Sequence, residues 1–204
     1  MKTNSKNTTF LFFHGWGLSP YFYKHILSKL SQRGTVISPI IDFLNYKNQL
    51  SFINKEIKEK IIIIGHSAGA VVAMEFAKTY PEKIEKVILL APAGFTTSSS
   101  FFSWLSKWIF HLLGLTINPG FFIFTLIIDF SKTSLLHPIN RIREARRISE
   151  TKIAFVPNLK VLAIFGRDDN IIPFPKKHSG IELEIVKGDH YFFLRNQQLL
   201  MDRL

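Results

Sequence analysis

Cysteine is absent from the 204-residue chain. No thiol nucleophile, disulfide framework or cysteine-bound zinc is therefore available, although the absence fits reducing and oxidising compartments alike. The seven histidines do not follow H-E-x-x-H or a comparable ligand spacing, so no metal ion is expected, and the chemistry read from the motifs below requires no organic cofactor. Acidic residues are scarce, with 15 Asp and Glu against 26 Lys and Arg and a formal charge of +11. The basic excess is scattered, except in Arg141–Arg147 (RIREARR). No nucleic-acid recognition module accompanies it, so a solvated basic surface is expected and nucleic acid is not.

Long hydrophobic runs are also missing. Phe10–Phe13, behind Lys2 and Lys6, is too short for the apolar core of a secretory signal and has no small-residue cleavage site after it. The apolar stretch Phe101–Ile128 is divided by Lys107, His111, Asn118 and Pro119-Gly120 into pieces too short to cross a bilayer. A cytoplasmic protein is expected, while Trp104, Lys107 and Trp108 leave peripheral contact with a membrane surface open. The length suits one domain that buries roughly 70% of its unfolded surface.

What the chain does have is alternation. Strand signals at Thr9–Phe13, Thr35–Ser38, Lys60–Ile64, Lys86–Ala91, Lys160–Phe165 and Glu182–Val186 are separated by helical stretches such as Tyr21–Ser31, Gln49–Lys58 and Ser67–Tyr80. This pattern predicts a parallel sheet with helices on both faces, and reactive groups beyond the carboxyl ends of its strands. The rhythm stops after Ala93 and resumes near Pro157. We expect core segments at 1–93 and 158–204, with an inserted helical cap at 94–157 that ends in the RIREARR helix and covers an apolar pocket.

Four consecutive isoleucines, Ile61–Ile64, run into Gly65-His66-Ser67-Ala68-Gly69. A β-branched run without alternation reads as a strand buried on both faces. Ala68–Tyr80 then reads as a helix that Pro81 stops. A strand reversing into a helix so abruptly strains the serine, and glycines on either side let the chains approach, the geometry of a nucleophile elbow. A serine hydroxyl needs a neighbouring base, and that base needs an acid to hold its tautomer. Later strands offer both: "VLAIFGRDDNIIP" places Asp168 and Asp169 in the turn after one strand, and "IVKGDHYFF" places His190 after the last. His178, in the loop before that strand, is the competing histidine.

In this order and context Ser67, Asp169 and His190 resemble the triad of α/β hydrolases of the esterase, lipase and thioesterase type. The resemblance implies an α/β-hydrolase fold, here with a reduced, mostly parallel sheet of about six strands flanked by helices, and an inserted cap. The family's G-x-x-D-x-x-x-P loop maps its acid onto Asp169, with Pro173 in place, and leaves Asp168 as the alternative. His14-Gly15-Trp16-Gly17 matches the family's H-G-x-G loop, which implies oxyanion-hole amides from Trp16 and Ala68, a Trp16 ring lining the acyl pocket and His14 as a buried anchor. HGWGL is also similar to the oxyanion segment of pimeloyl-acyl carrier protein methyl ester esterases, and a basic cap suits an acidic carrier protein. The stretch "PIIDFLNYKNQL" lacks the family's D-x-x-G-x-G-x-S loop.

The resemblance implies a serine hydrolase acting on carboxylic esters or thioesters with a hydrophobic acyl group, through an acyl-enzyme. The same triad serves acyltransferases and C–C bond hydrolases, and the fold also serves non-catalytic membrane-surface or partner-binding proteins.

Overall fold

The computed structural model describes residues 8–95, 106, 138–154, 156–175 and 180–204. Most of the expected cap, the apolar stretch 101–128 and His178 lie outside them. Along the chain run β1 (Thr9–Phe13), a 3₁₀ turn (Pro20–Tyr23) leading into α1 (Lys24–Ser31), β2 (Thr35–Ile37), α2 (Tyr46–Glu56), β3 (Ile61–His66) and α3 (Ala68–Thr79). A second 3₁₀ turn (Pro81–Lys83) precedes β4 (Ile84–Leu90). There follow α4 (Pro138–Glu150), β5 (Val161–Gly166), β6 (Glu182–Val186), α5 (Phe192–Arg195) and α6 (Gln197–Met201).

The six strands form one sheet in the order β2-β1-β3-β4-β5-β6, and every pairing is parallel. Parallel neighbours need crossovers, so helices cover both faces and central strands must be apolar on both. The isoleucine run shows how. Ile61 and Ile63 join Leu11, Phe13, Val87, Leu89 and Phe165 on the face covered by α2, α3 and α4. Ile62 and Ile64 join Phe10, Phe12, Ile88 and Leu90 on the face covered by α1, α5 and α6. Successive side chains of a strand point to opposite faces. Each such burial is worth about 1.5–3 kcal/mol, which anchors β3 in the middle of the molecule.

Helix α2 starts at Tyr46, three residues before the periodicity alone places it. The cause is a turn centred on Asp42, whose Oδ1 accepts from Leu44 N–H (2.9 Å) and whose Oδ2 accepts from the Asn45 amide (2.9 Å). This Asx turn folds the unpatterned "PIIDFLN" back on itself and delivers the chain into the helix.

Candidate active site

The elbow at the end of β3 is built as its glycines imply. Ser67 has φ 52° and ψ −119°, a left-handed conformation that costs a non-glycine residue about 1–3 kcal/mol. Three backbone hydrogen bonds hold it there. Ser67 N–H donates to Leu90 O at the end of β4 (2.9 Å), while Ser67 O accepts from Ala70 N–H (3.0 Å) and Ala93 N–H (3.1 Å). A Cβ on Gly65 would stand 2.7 Å from Gly69 O, and one on Gly69 only 2.3 Å from Phe13 O. The turn therefore closes against both its own helix and the end of β1. Ser67 is half-buried at the N-cap of α3, and its hydroxyl makes no capping hydrogen bond.

His190 and Asp169 come from the loops after β6 and β5. Gly166 lets these loops touch, since a Cβ there would lie 2.5 Å from both Gly188 O and Asp189 O. His190 Nδ1–H donates to Asp169 Oδ2 at 2.7 Å, with the two side chains 2% and 0% exposed. Asp169 Oδ1 accepts from the amides of Ile171 and Ile172, each at 2.9 Å. Burial alone would raise the Asp169 pKa. The charge of His190 and these hydrogen bonds outweigh it and hold the carboxyl below its usual value. With Nδ1 committed to the carboxylate, Nε2 is the basic nitrogen of the neutral ring.

Asp168 occupies a different place. It is exposed, and its Oδ2 accepts from Gly188 N–H at 3.3 Å, which braces the histidine loop from outside. No hydrogen bond joins the Ser67 hydroxyl directly to the His190 ring. The two meet through the residue before the serine. The His66 ring lies 4.9 Å from the His190 ring, and its Nε2–H donates to His190 O (3.2 Å).

The oxyanion candidates flank the same rim. Ala68 opens α3, where the first helical amides have no intrahelical acceptor and point outward. Trp16 follows β1 in a turn. Its indole is buried, and Nε1–H donates to Glu144 Oε2 in α4 (3.1 Å). His14 is a buried anchor: Nε2 accepts from Ile41 N–H (2.9 Å), so Nδ1–H donates to Gly15 O (2.9 Å). This ties the "PIIDFLN" segment to the loop that carries Trp16.

Glu144 was not legible as a site residue, because in RIREARR it reads as one charge among several on a solvated helix. It is 3% exposed, and besides Trp16 it accepts from Arg141 Nη1 (2.7 Å). Burial raises its pKa, and Arg141 works against the shift. Arg147 donates to Leu44 O and lies over the Tyr46 ring, and Arg146 pairs with Glu150, so three of the four arginines of α4 hold partners within the chain. Glu144→Ala would take the carboxylate away from both the buried Trp16 indole N–H and Arg141, and is expected to cost about 1–3 kcal/mol in urea unfolding.

Among the described residues no group of three or more His, Asp or Glu is arranged to hold a metal ion. No described helix is long and apolar enough to cross a membrane.

Comparison with known proteins bears on the family and the fold. A family model described as "Serine aminopeptidase, S33" matches residues 40–151, more than half of the chain. A probable 1-acylglycerol-3-phosphate O-acyltransferase of Oryza sativa subsp. japonica is 29% identical over 132 residues, covering 54% of this chain and 31% of that protein. Homoserine O-acetyltransferase of Thermus thermophilus is 48% identical over 50 residues, covering 24% of this chain and 13% of that protein. The chain thus spans less than a third of the length of these curated relatives. Among solved structures, an esterase from Exiguobacterium antarcticum superposes with a TM-score of 0.71 at 15% identity, covering 97% of this chain and 90% of that one. The type II thioesterase BorB from the borrelidin biosynthetic cluster gives 0.68 at 18%, covering 98% and 94%. At such identities the likeness speaks for the fold, which is the α/β-hydrolase fold.

Proposed function

We propose that this chain, which belongs to the family described as serine aminopeptidase, S33, within the α/β hydrolases, cleaves carboxylic esters or thioesters with a hydrophobic acyl group. The observation that carries the reading is the buried Asp169–His190 pair, at 2.7 Å, whose histidine packs against His66, the residue preceding a strained serine at the end of β3. Ser67 Oγ attacks the substrate carbonyl as His190 Nε2 takes its proton. The amides of Trp16 and Ala68 receive the negative oxygen of the tetrahedral intermediate, and each such donor is worth about 10²–10³ in rate. The intermediate collapses, His190 returns the proton to the departing alcohol or thiol, and the acyl group stays on Ser67. Water, deprotonated by His190, then attacks the acyl-enzyme and releases the acid. The Ser67 hydroxyl and His190 close their hydrogen bond when substrate is bound, as nucleophile–base pairs commonly do.

Labelling with a fluorophosphonate followed by peptide mapping tests this reading. A single adduct on Ser67 is expected, lost when the protein is unfolded beforehand. An unreactive protein, or an adduct elsewhere, rejects it. A second reading draws on the two relatives named for O-acyl transfer. An alcohol, in place of water, would take the acyl group from Ser67. An ester panel with and without an alcohol acceptor separates the two.

A further inference from the structure

Three segments of the site meet at one buried hydroxyl. Gly15 N–H, in the loop that carries Trp16, donates to Tyr23 Oη at 3.0 Å. Tyr23 Oη stands 2.7 Å from His66 Nδ1, and His66 Nε2 stands 3.2 Å from His190 O. Tyr23, His66 and His190 are each no more than 1% exposed. Proton counting leaves one direction for this chain. A carbonyl oxygen only accepts, so His66 carries its proton on Nε2. A neutral imidazole has one proton, so Nδ1 accepts and Tyr23 donates to it. The lone pair of the Tyr23 oxygen then receives Gly15 N–H. Every bond runs the same way, from the oxyanion loop through the residue preceding the nucleophile to the backbone of the general base.

We infer that Tyr23 and His66 are positioning residues, whose directed hydrogen bonds set the oxyanion loop, the nucleophile and the catalytic histidine in register. The inference rests on the assignment of Ser67, His190 and Asp169 proposed above. The junction has no slack. A Cβ on Gly15 would lie 3.0 Å from His66 Nδ1 and 3.2 Å from Tyr23 Oη. Rings enclose the hydroxyl's own ring, with Phe12 at 4.9 Å and Phe22 at 5.1 Å. His66 also stays neutral: burial above all, and then the charge of His190, push its pKa well below the ordinary value, against the pull of the His190 carbonyl. A charged ring would place a second proton on Nδ1 and turn the Tyr23 hydroxyl away from it.

Tyr23→Phe keeps the ring and removes only the oxygen. Gly15 N–H and His66 Nδ1 then lose this partner, and the 3.2 Å bond to His190 O is left to hold the His66 tautomer without the Tyr23 hydroxyl behind it. For a p-nitrophenyl ester, kcat is expected to fall about tenfold with KM within about twofold, because the change acts on the aligned transition state more than on substrate binding. Wild-type kcat in Tyr23→Phe, beside an inactive Ser67→Ala, overturns the inference and leaves the hydrolase reading intact. Full activity in Ser67→Ala overturns both. A measurement on the unaltered protein does not depend on whether the variant folds. ¹⁵N spectra of histidine-labelled protein are expected to show His66 neutral and protonated on Nε2 between about pH 6 and pH 8, across the range in which an ordinary histidine titrates. A proton on Nδ1, or a charged ring, overturns the inference.

Discussion

Ser67→Ala is expected to lower kcat for a p-nitrophenyl ester by about 10⁴-fold or more, with the thermal unfolding transition nearly unmoved. The asymmetry follows from the place of the hydroxyl. It caps no helix amide, sits half-exposed, and is the one atom by which serine differs from alanine. The strain at φ 52° is a property of the backbone and is shared by both residues. The bonds that impose it, to Leu90, Ala70 and Ala93, are made by main-chain atoms that the substitution leaves in place. Stability is therefore spared. Turnover is not, because in the proposed mechanism Ser67 Oγ carries the acyl group, and without it only binding and the Trp16 and Ala68 amides would remain to aid hydrolysis by water. A rate within tenfold of wild type would remove Ser67 from the chemistry. A matching loss of rate and of cooperative unfolding would instead assign it a structural part.

Much of the fold was legible because parallel sheets write themselves into sequence plainly. Ile61–Ile64 must hide on both faces, and only strands paired on both sides and covered by helices allow that. The order of the strands, with β1 beside β3 and β2 on the edge, is not contained in any single segment. It follows from how right-handed crossovers stack helices on the two faces. The early start of α2 was hidden for a local reason: the Asp42 turn is made by side-chain oxygens on neighbouring amides, and hydrophobic periodicity does not see them.

The candidate site divides along the same line. Ser67, Asp169, His190, Ala68 and Trp16 stand at strand ends beside glycines, where sequence spacing translates directly into position. The groups that hold these residues do not. Glu144 lies 128 positions from Trp16, in a helix whose sequence reads as solvated charge, and only its burial reveals that it receives the indole N–H. Tyr23 falls inside the helical stretch Tyr21–Ser31 and His66 between Gly65 and Ser67, and neither position marks a hydrogen-bond partner. Their hydrogen bonds span 8, 43 and 124 positions. Supporting contacts of that kind depend on three segments arriving together, and nothing in any one segment announces the meeting.

The two adjacent aspartates separate sharply on replacement. Asp169→Asn is expected to lower kcat by about 10⁴-fold, because it reverses the tautomer of the base. Asp169 Oδ1 already receives two backbone N–H groups, from Ile171 and Ile172, while Oδ2 receives His190 Nδ1–H. Asparagine has one oxygen to offer. If that oxygen keeps the two amides, its NH₂ faces His190 and forces Nδ1 to accept, so the ring proton moves to Nε2 and blocks uptake of the serine proton. If the amide flips, the NH₂ meets two further donors in a buried pocket, and the loop carrying it must move. Asp168→Asn retains an oxygen for Gly188 N–H in an exposed position, and is expected to stay within about threefold of wild type. Neutral pH suits the comparison. Folding depresses the Asp169 carboxyl, so its contribution is complete above the ordinary carboxylate range and fades only as pH falls through the lower folded value. If Asp168→Asn proves to be the crippling change, the acid of the triad is the other aspartate. If both variants keep wild-type kcat, the carboxylate–histidine pair is a structural contact, and His190 must find its orientation from His66 alone.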